Sequence, residues 1–214
     1  MVDAESESQP TSESDVIGTA IVGEPDDSAV HATDIDKVMM VGDSITVGAR
    51  AALEAQFDAL GVDHEIESEK GKRMAMSAKG NPSGASVTED MVDADDHDPA
   101  AEVWVVALGT NDIGQYSTPD EIAAAVDEVL AEVPEDAALV WADTYIRHLP
   151  EETEQVNTII RDRVARRGNS VIAPWSANAP AVGVVSGDGV HPTTDGSVRF
   201  ATVVTATVRA FLGR

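Results

Sequence analysis

The sequence predicts an α/β fold built on a parallel sheet with helices on both of its faces. Three observations carry that reading. Strand-like apolar runs alternate with segments of helical period from Lys37 onward. Two of the runs, residues 38–41 and 103–108, are almost continuously apolar, as strands covered on both faces are. The chain has 214 residues and 43% hydrophobic content, enough for one well-cored domain and a tail.

The elements follow in order. Residues 38–41 form a buried strand that stops at Gly42–Asp43–Ser44. From Ile45 the apolar period turns helical through Ala49, Leu53, Phe57 and Leu60, and Gly61 closes it. Residues 62–68 are a more polar strand, suited to a sheet edge. Residues 69–84 are a loop rich in Gly, Lys and Ser, and residues 86–93 read as a short helix. Residues 103–108 (VWVVAL) are a central strand. Thr118, Pro119 and Glu121 mark a helix start with a capping box, and Ile122, Val126, Val129, Leu130 and Val133 give it an apolar face. Residues 138–142 are the fourth strand. Residues 151–167 are a helix whose last turns carry Arg161, Arg163, Arg166 and Arg167, which complement its negative end. Residues 170–173 are the fifth strand. Residues 192–212 are the closing helix, with Val198, Ala201, Val204, Val208 and Phe211 as its inward stripe.

Residues 1–36 differ in composition. They contain no Lys or Arg and many Asp, Glu and Ser residues, which predicts an acidic, disordered tail or stalk dispensable for folding. Within it, residues 16–22 (VIGTAIV) are apolar enough to add a strand or pack on the domain. The net charge of −25 argues against non-specific nucleic-acid binding and against docking on anionic membranes. No run is long and apolar enough to cross a membrane, and the sequence as given opens without a signal-peptide pattern. Cysteine is absent, so disulfides and thiolate metal sites are excluded. No cofactor or metal is expected. A flavodoxin-like nucleotide binder is disfavoured because no phosphate loop follows the first strand.

The chemistry gathers where strands end. Ser44 stands between a strand and a helix, where open α/β sheets bind ligands. A serine there can attack a carbonyl, with its own N–H helping to hold the oxyanion. The plain alternative is a serine N-cap beside a polar turn residue, Asp43. After the third strand, Gly109–Thr110–Asn111–Asp112 offers the Asn111 amide to the same rim, or forms an ordinary Asn/Asp turn. Near the end, Ser186–Gly187–Asp188–Gly189–Val190–His191–Pro192 places His191 three residues after Asp188. One loop can thus deliver a base and the carboxylate that orients it, as acyl transfer through serine requires. His31, His64, His97 and His148 have no comparable setting.

Taken together, Gly42–Asp43–Ser44, Gly109–Thr110–Asn111–Asp112 and Asp188–Gly189–Val190–His191 resemble, in that order, the motifs of the SGNH, or GDSL-type, esterase and lipase superfamily. The resemblance covers about residues 37–214. It implies a flavodoxin-like three-layer α/β/α sandwich with a five-stranded parallel sheet. It implies Ser44 as nucleophile, His191 as base and Asp188 as its partner. The oxyanion hole would comprise Ser44, Asn111 and one glycine of the second block. Gly71, Gly80 and Gly84 are candidates, and Gly71 follows the second strand most closely. The arrangement is loosely similar to SGNH domains of bacterial cell-envelope proteins, which points to an extracellular or envelope location. The expected function is a serine esterase or acyltransferase acting on a short acyl ester, such as an O-acetyl group on a carbohydrate. A non-catalytic module of the same fold that binds an acylated glycan is the alternative. Few aromatics and no long apolar insertion argue against a long-chain lipase.

One further feature of the 69–84 loop is its charge. Three of the four lysines, Lys70, Lys72 and Lys79, fall there with Arg73. Either they pair with neighbouring acids such as Glu65, Glu67 and Glu69, or Lys72 and Arg73 bind an anionic substrate.

Overall fold

The computed structural model describes residues 22, 35–78, 80–94 and 98–212. Five strands form one parallel sheet: β1 (Lys37–Gly42), β2 (Asp63–Ser68), β3 (Glu102–Ala107), β4 (Ala138–Ala142) and β5 (Ser170–Ala173). Their order across the sheet is β2-β1-β3-β4-β5. The helices are α1 (Ser44–Leu60), α2 (Gly84–Asp93), α3 (Pro119–Glu132), α4 (Pro150–Arg167), α5 (Trp175–Asn178) and α6 (Thr194–Val208). This is the flavodoxin-like α/β arrangement, and its strand order reverses direction at β1, between β2 and β3.

The two-residue period of β1 explains the three layers. Val38 and Met40 face one core with α1 and α6, among them Leu53, Phe57, Phe200 and Val204. Met39 and Val41 face the other, with Met91, Val126, Val129 and Ile160. The same alternation in β3 and β4 leaves both strands buried along their whole length. The polar strand β2 lies at the edge, as its sequence predicts. The Thr118 side chain accepts from the Glu121 N–H and the Glu121 carboxylate accepts from the Thr118 N–H, completing the expected capping box of α3.

Four details depart from the sequence reading. The closing helix begins at Thr194, because Pro192 instead bridges to Val185 and Thr193 caps the helix. It ends at Val208, and Arg209–Leu212 continue as a 3-10 turn. Val198, assigned inward, is 51% exposed. The short helix α5 was not expected from the sequence at all.

The core also takes in Ile35, ahead of β1, and the Asp36 N–H donates to the Ala101 carbonyl. The expected acidic tail falls mostly outside the described residues, as does most of the 16–22 segment. Of that segment only Val22 is described. Its N–H donates to Asn178 Oδ1 at 2.9 Å, and Asn178 Nδ2 donates back to the Val22 carbonyl at 3.0 Å. No described helix is long and apolar enough to cross a membrane.

Candidate active site

The site begins where β1 gives way to α1. A Cβ on Gly42 would lie 2.0 Å from Thr46 Oγ1, so only glycine lets the first helical turn fold back this closely on the strand end. Asp43, not Ser44, is the N-cap: its Oδ1 accepts the Ile45 N–H at 2.9 Å. Ser44 opens α1, so its N–H is a first-turn group with no intrahelical acceptor. Its hydroxyl lies 3.0 Å from His191 Nε2.

His191 comes from the loop between α5 and α6. Asp188 Oδ2 lies 2.8 Å from His191 Nδ1. The other oxygen, Oδ1, accepts from the Ser186 hydroxyl at 2.8 Å, the Val190 N–H at 2.9 Å and the His191 N–H at 3.0 Å. These donors, the Val190 N–H foremost, hold the Asp188 carboxyl well below the usual carboxylate range. An ionised Asp188 only accepts, so the proton of a neutral imidazole sits on Nδ1. The Nε2 lone pair then faces the Ser44 hydroxyl.

Asn111 reaches the same rim from the 3-10 turn Thr110–Asp112 after β3. Gly109 makes that turn possible. Its φ is +119°, and a Cβ there would meet Thr144 Cγ2 at 2.9 Å. Asn111 Nδ2 donates to Asp43 Oδ2 and to the Lys72 carbonyl, each at 3.1 Å. Both amide hydrogens therefore already have acceptors, and one must be shared with any oxyanion that forms.

Of the three candidate glycines, Gly71 lies with Asn111 and Thr110 on one cavity of about 540 Å³. Its N–H makes no hydrogen bond among the described residues. Gly84 is committed elsewhere: its N–H donates to the Arg73 carbonyl at 2.7 Å. Gly80 does not line the cavity.

Two buried acids shape this rim. Asp43 is 1% exposed, and burial pushes its carboxyl up to about 7 against the pull of the Ile45 N–H. Asp112 is equally buried. Both of its oxygens accept the Met74 N–H at 3.2 Å, and Oδ1 also accepts from the Tyr116 hydroxyl at 3.1 Å. Burial raises it to about 6. Asp112 thus ties the loop after β2 to the end of β3. The sequence reading gave neither acid a positioning role. The signal was the Asp in each motif, since an acid beside a buried strand end must find donors.

The loop cations separate. Lys72 is 2% exposed, and its ammonium donates to the Pro82 carbonyl at 3.2 Å with Glu69 at 3.8 Å. Burial lowers its pKa. Lys72 thus takes the pairing with a neighbouring acid, the first of the two readings offered for it, rather than standing free for a substrate. Arg73 lines the cavity with Lys70. Lys79 lies outside the described residues.

The comparisons agree with this architecture. No curated protein matches the sequence. A member of the lipolytic protein G-D-S-L family from Veillonella parvula is similar in structure with a TM-score of 0.62 and 19% identity, over 79% of this chain and 95% of that one. The C-terminal catalytic domain of Streptococcus pneumoniae peptidoglycan O-acetyltransferase A, solved with a methylsulfonyl adduct, is similar with a TM-score of 0.55 and 17% identity, over 85% of this chain and 94% of that one. At these identities the likeness is one of fold. The model of the GDSL-like lipase/acylhydrolase family matches residues 40–199, a span that holds the strand-end loops described above, and the chain belongs to that family.

Proposed function

We propose that this protein is a serine esterase or acyltransferase that cleaves a short acyl ester, such as an O-acetyl group on a carbohydrate or cell-envelope glycan. The observation that carries the proposal is the continuous relay of Ser44 Oγ, His191 and Asp188, at 3.0 and 2.8 Å. In this reading Ser44 Oγ attacks the ester carbonyl while His191 Nε2 takes its proton. Asp188 holds the Nδ1–H and stabilises the imidazolium. The oxyanion is held by the N–H groups of Ser44 and Gly71 and by the Asn111 amide. His191 then gives its proton to the departing alcohol oxygen, leaving an acyl group on Ser44. Water or a sugar hydroxyl, deprotonated by His191, attacks that acyl group and releases Ser44.

Two features support a short acyl group. The site is polar, and the GDSL fold also carries a peptidoglycan O-acetyltransferase domain, whose name describes transfer of a two-carbon acyl group. The test is turnover of 4-nitrophenyl acetate and of acetylated sugars. Ser44→Ala should keep its fold and lose hydrolysis by several orders of magnitude, as removal of a serine nucleophile does. A Ser44→Ala protein that retains wild-type turnover would overturn the assignment.

A further inference from the structure

This inference rests on the ester-cleaving reading and names the kind of ester. We propose that the alcohol portion of the substrate carries a carboxylate, and that the cavity beside Gly71 and Asn111 binds it through Arg73 and Lys70.

The cavity measures about 540 Å³ and is bordered by Gly71 and Asn111, two of the three oxyanion donors in that reading. An acetyl or similarly short acyl group is far too small to fill it, so the alcohol portion is the part that does. The lining is unlike the rest of the molecule. The chain carries 39 acidic residues against 14 Lys and Arg. Yet Lys70 and Arg73 line this cavity with no Asp or Glu among the described residues that line it.

These two cations also differ from others in the fold. Lys37, Arg50, Arg161, Arg163 and Arg166 each have a carboxylate partner. The side chains of Arg73 and Lys70 have neither an ion pair nor a hydrogen bond among the described residues. Arg73 feels the buried Asp112 charge at longer range, but the oxygens of Asp112 are already taken by the Met74 N–H and the Tyr116 hydroxyl. A half-buried guanidinium with unpaired donors is costly to desolvate and is matched by a planar carboxylate, which it binds at two points. Asn81 and Gln115 add amides to the wall, as suits a hydroxylated alcohol. Asn81 Nδ2 is held by the Lys70 carbonyl at 3.0 Å, which leaves its Oδ1 to accept a hydroxyl. The chemical class that fits is an acetylated sugar acid or an acidic glycan.

The experiment compares 4-acetoxybenzoate with its neutral methyl ester, two acetates that differ in one charge on the alcohol side. The readout is the ratio of their kcat/KM values. In the wild type the ratio should fall as salt rises from low to physiological ionic strength, since exposed charges are screened over about 8 Å there. In Arg73→Ala the ratio should fall about tenfold, the loss expected of one charge-assisted contact. In Arg73→Lys it should lie between the two, because the charge remains and the fork does not. Taking a ratio within each variant cancels any general loss of folded enzyme or of turnover. A ratio unchanged by Arg73→Ala would overturn this inference while leaving the esterase reading standing. Failure of the wild type to cleave either acetate would overturn the esterase reading, and this inference with it.

Discussion

Replacing Asp43 with Asn changes how stability depends on pH, and the size of the change follows from burial. The ordinary carboxyl pKa of 3.8 describes Asp43 in the unfolded chain, and burial raises it to about 7 in the fold. Between those values the native state binds a proton that the unfolded state has released, so stability falls as pH rises. At roughly 1.4 kcal/mol per pH unit, the stability lost between pH 4 and pH 8 is about 4 kcal/mol. Asp43→Asn removes this dependence and keeps an oxygen to cap the Ile45 N–H. The groups facing Asp43 are Asp112, His191, Thr110 and Asn111. Asp112, raised to about 6, repels Asp43, so the two titrate as a pair and the gain belongs to the pair. Denaturant unfolding of both proteins at several pH values measures it. The stability of the variant minus that of the wild type should climb by several kcal/mol from pH 4 to pH 8. Parallel curves would refute the claim that a buried, destabilised carboxylate is held at this rim.

Other outcomes follow from the same geometry. Asn111→Ala should lower kcat by about 10²–10³ with little change in KM, because an oxyanion donor acts mainly in the transition state; a large KM change at constant kcat would mark a ground-state contact instead. Deleting residues 1–34 removes the two hydrogen bonds between Val22 and Asn178. At about 1 kcal/mol for each bond the melting temperature should drop by a few degrees, where composition alone predicts no change. An unchanged melting temperature would show that the Val22 contact adds nothing to the domain.

Much of the fold was legible because its strongest signals are local. Residues 38–41 and 103–108 are apolar enough to be read as buried strands, and the Gly61 and Thr118 signals bound helices where the structure ends or starts them. Ser44 and Asn111 were legible because each follows a recognisable strand, and Asp188 and His191 because one short loop carries both. Roles set by distant partners were not. Asp43 meets Asn111 across 68 positions, and Asp112 meets Met74 across 38. Neither partner can be read from the spacing around the acid. Lys72 left two readings open for a related reason. The sequence allows either pairing with a neighbouring acid or contact with a substrate, and only the fold of the loop sets its ammonium between the Pro82 carbonyl and Glu69. Val198 fits the helical stripe by period alone, yet stands at the solvent edge of α6.

The central claim is that Ser44 is a nucleophile activated by His191. A fluorophosphonate probe tests it most directly, because it forms a covalent bond only with a serine whose hydroxyl can be deprotonated in place. Peptide mass spectrometry of the labelled protein should find one adduct, on Ser44, in the wild type. His191→Ala should label far more slowly, and prior incubation with a cleaved acetate should protect the wild type. An active esterase whose adduct lies on another serine, or that forms none, would contradict the account.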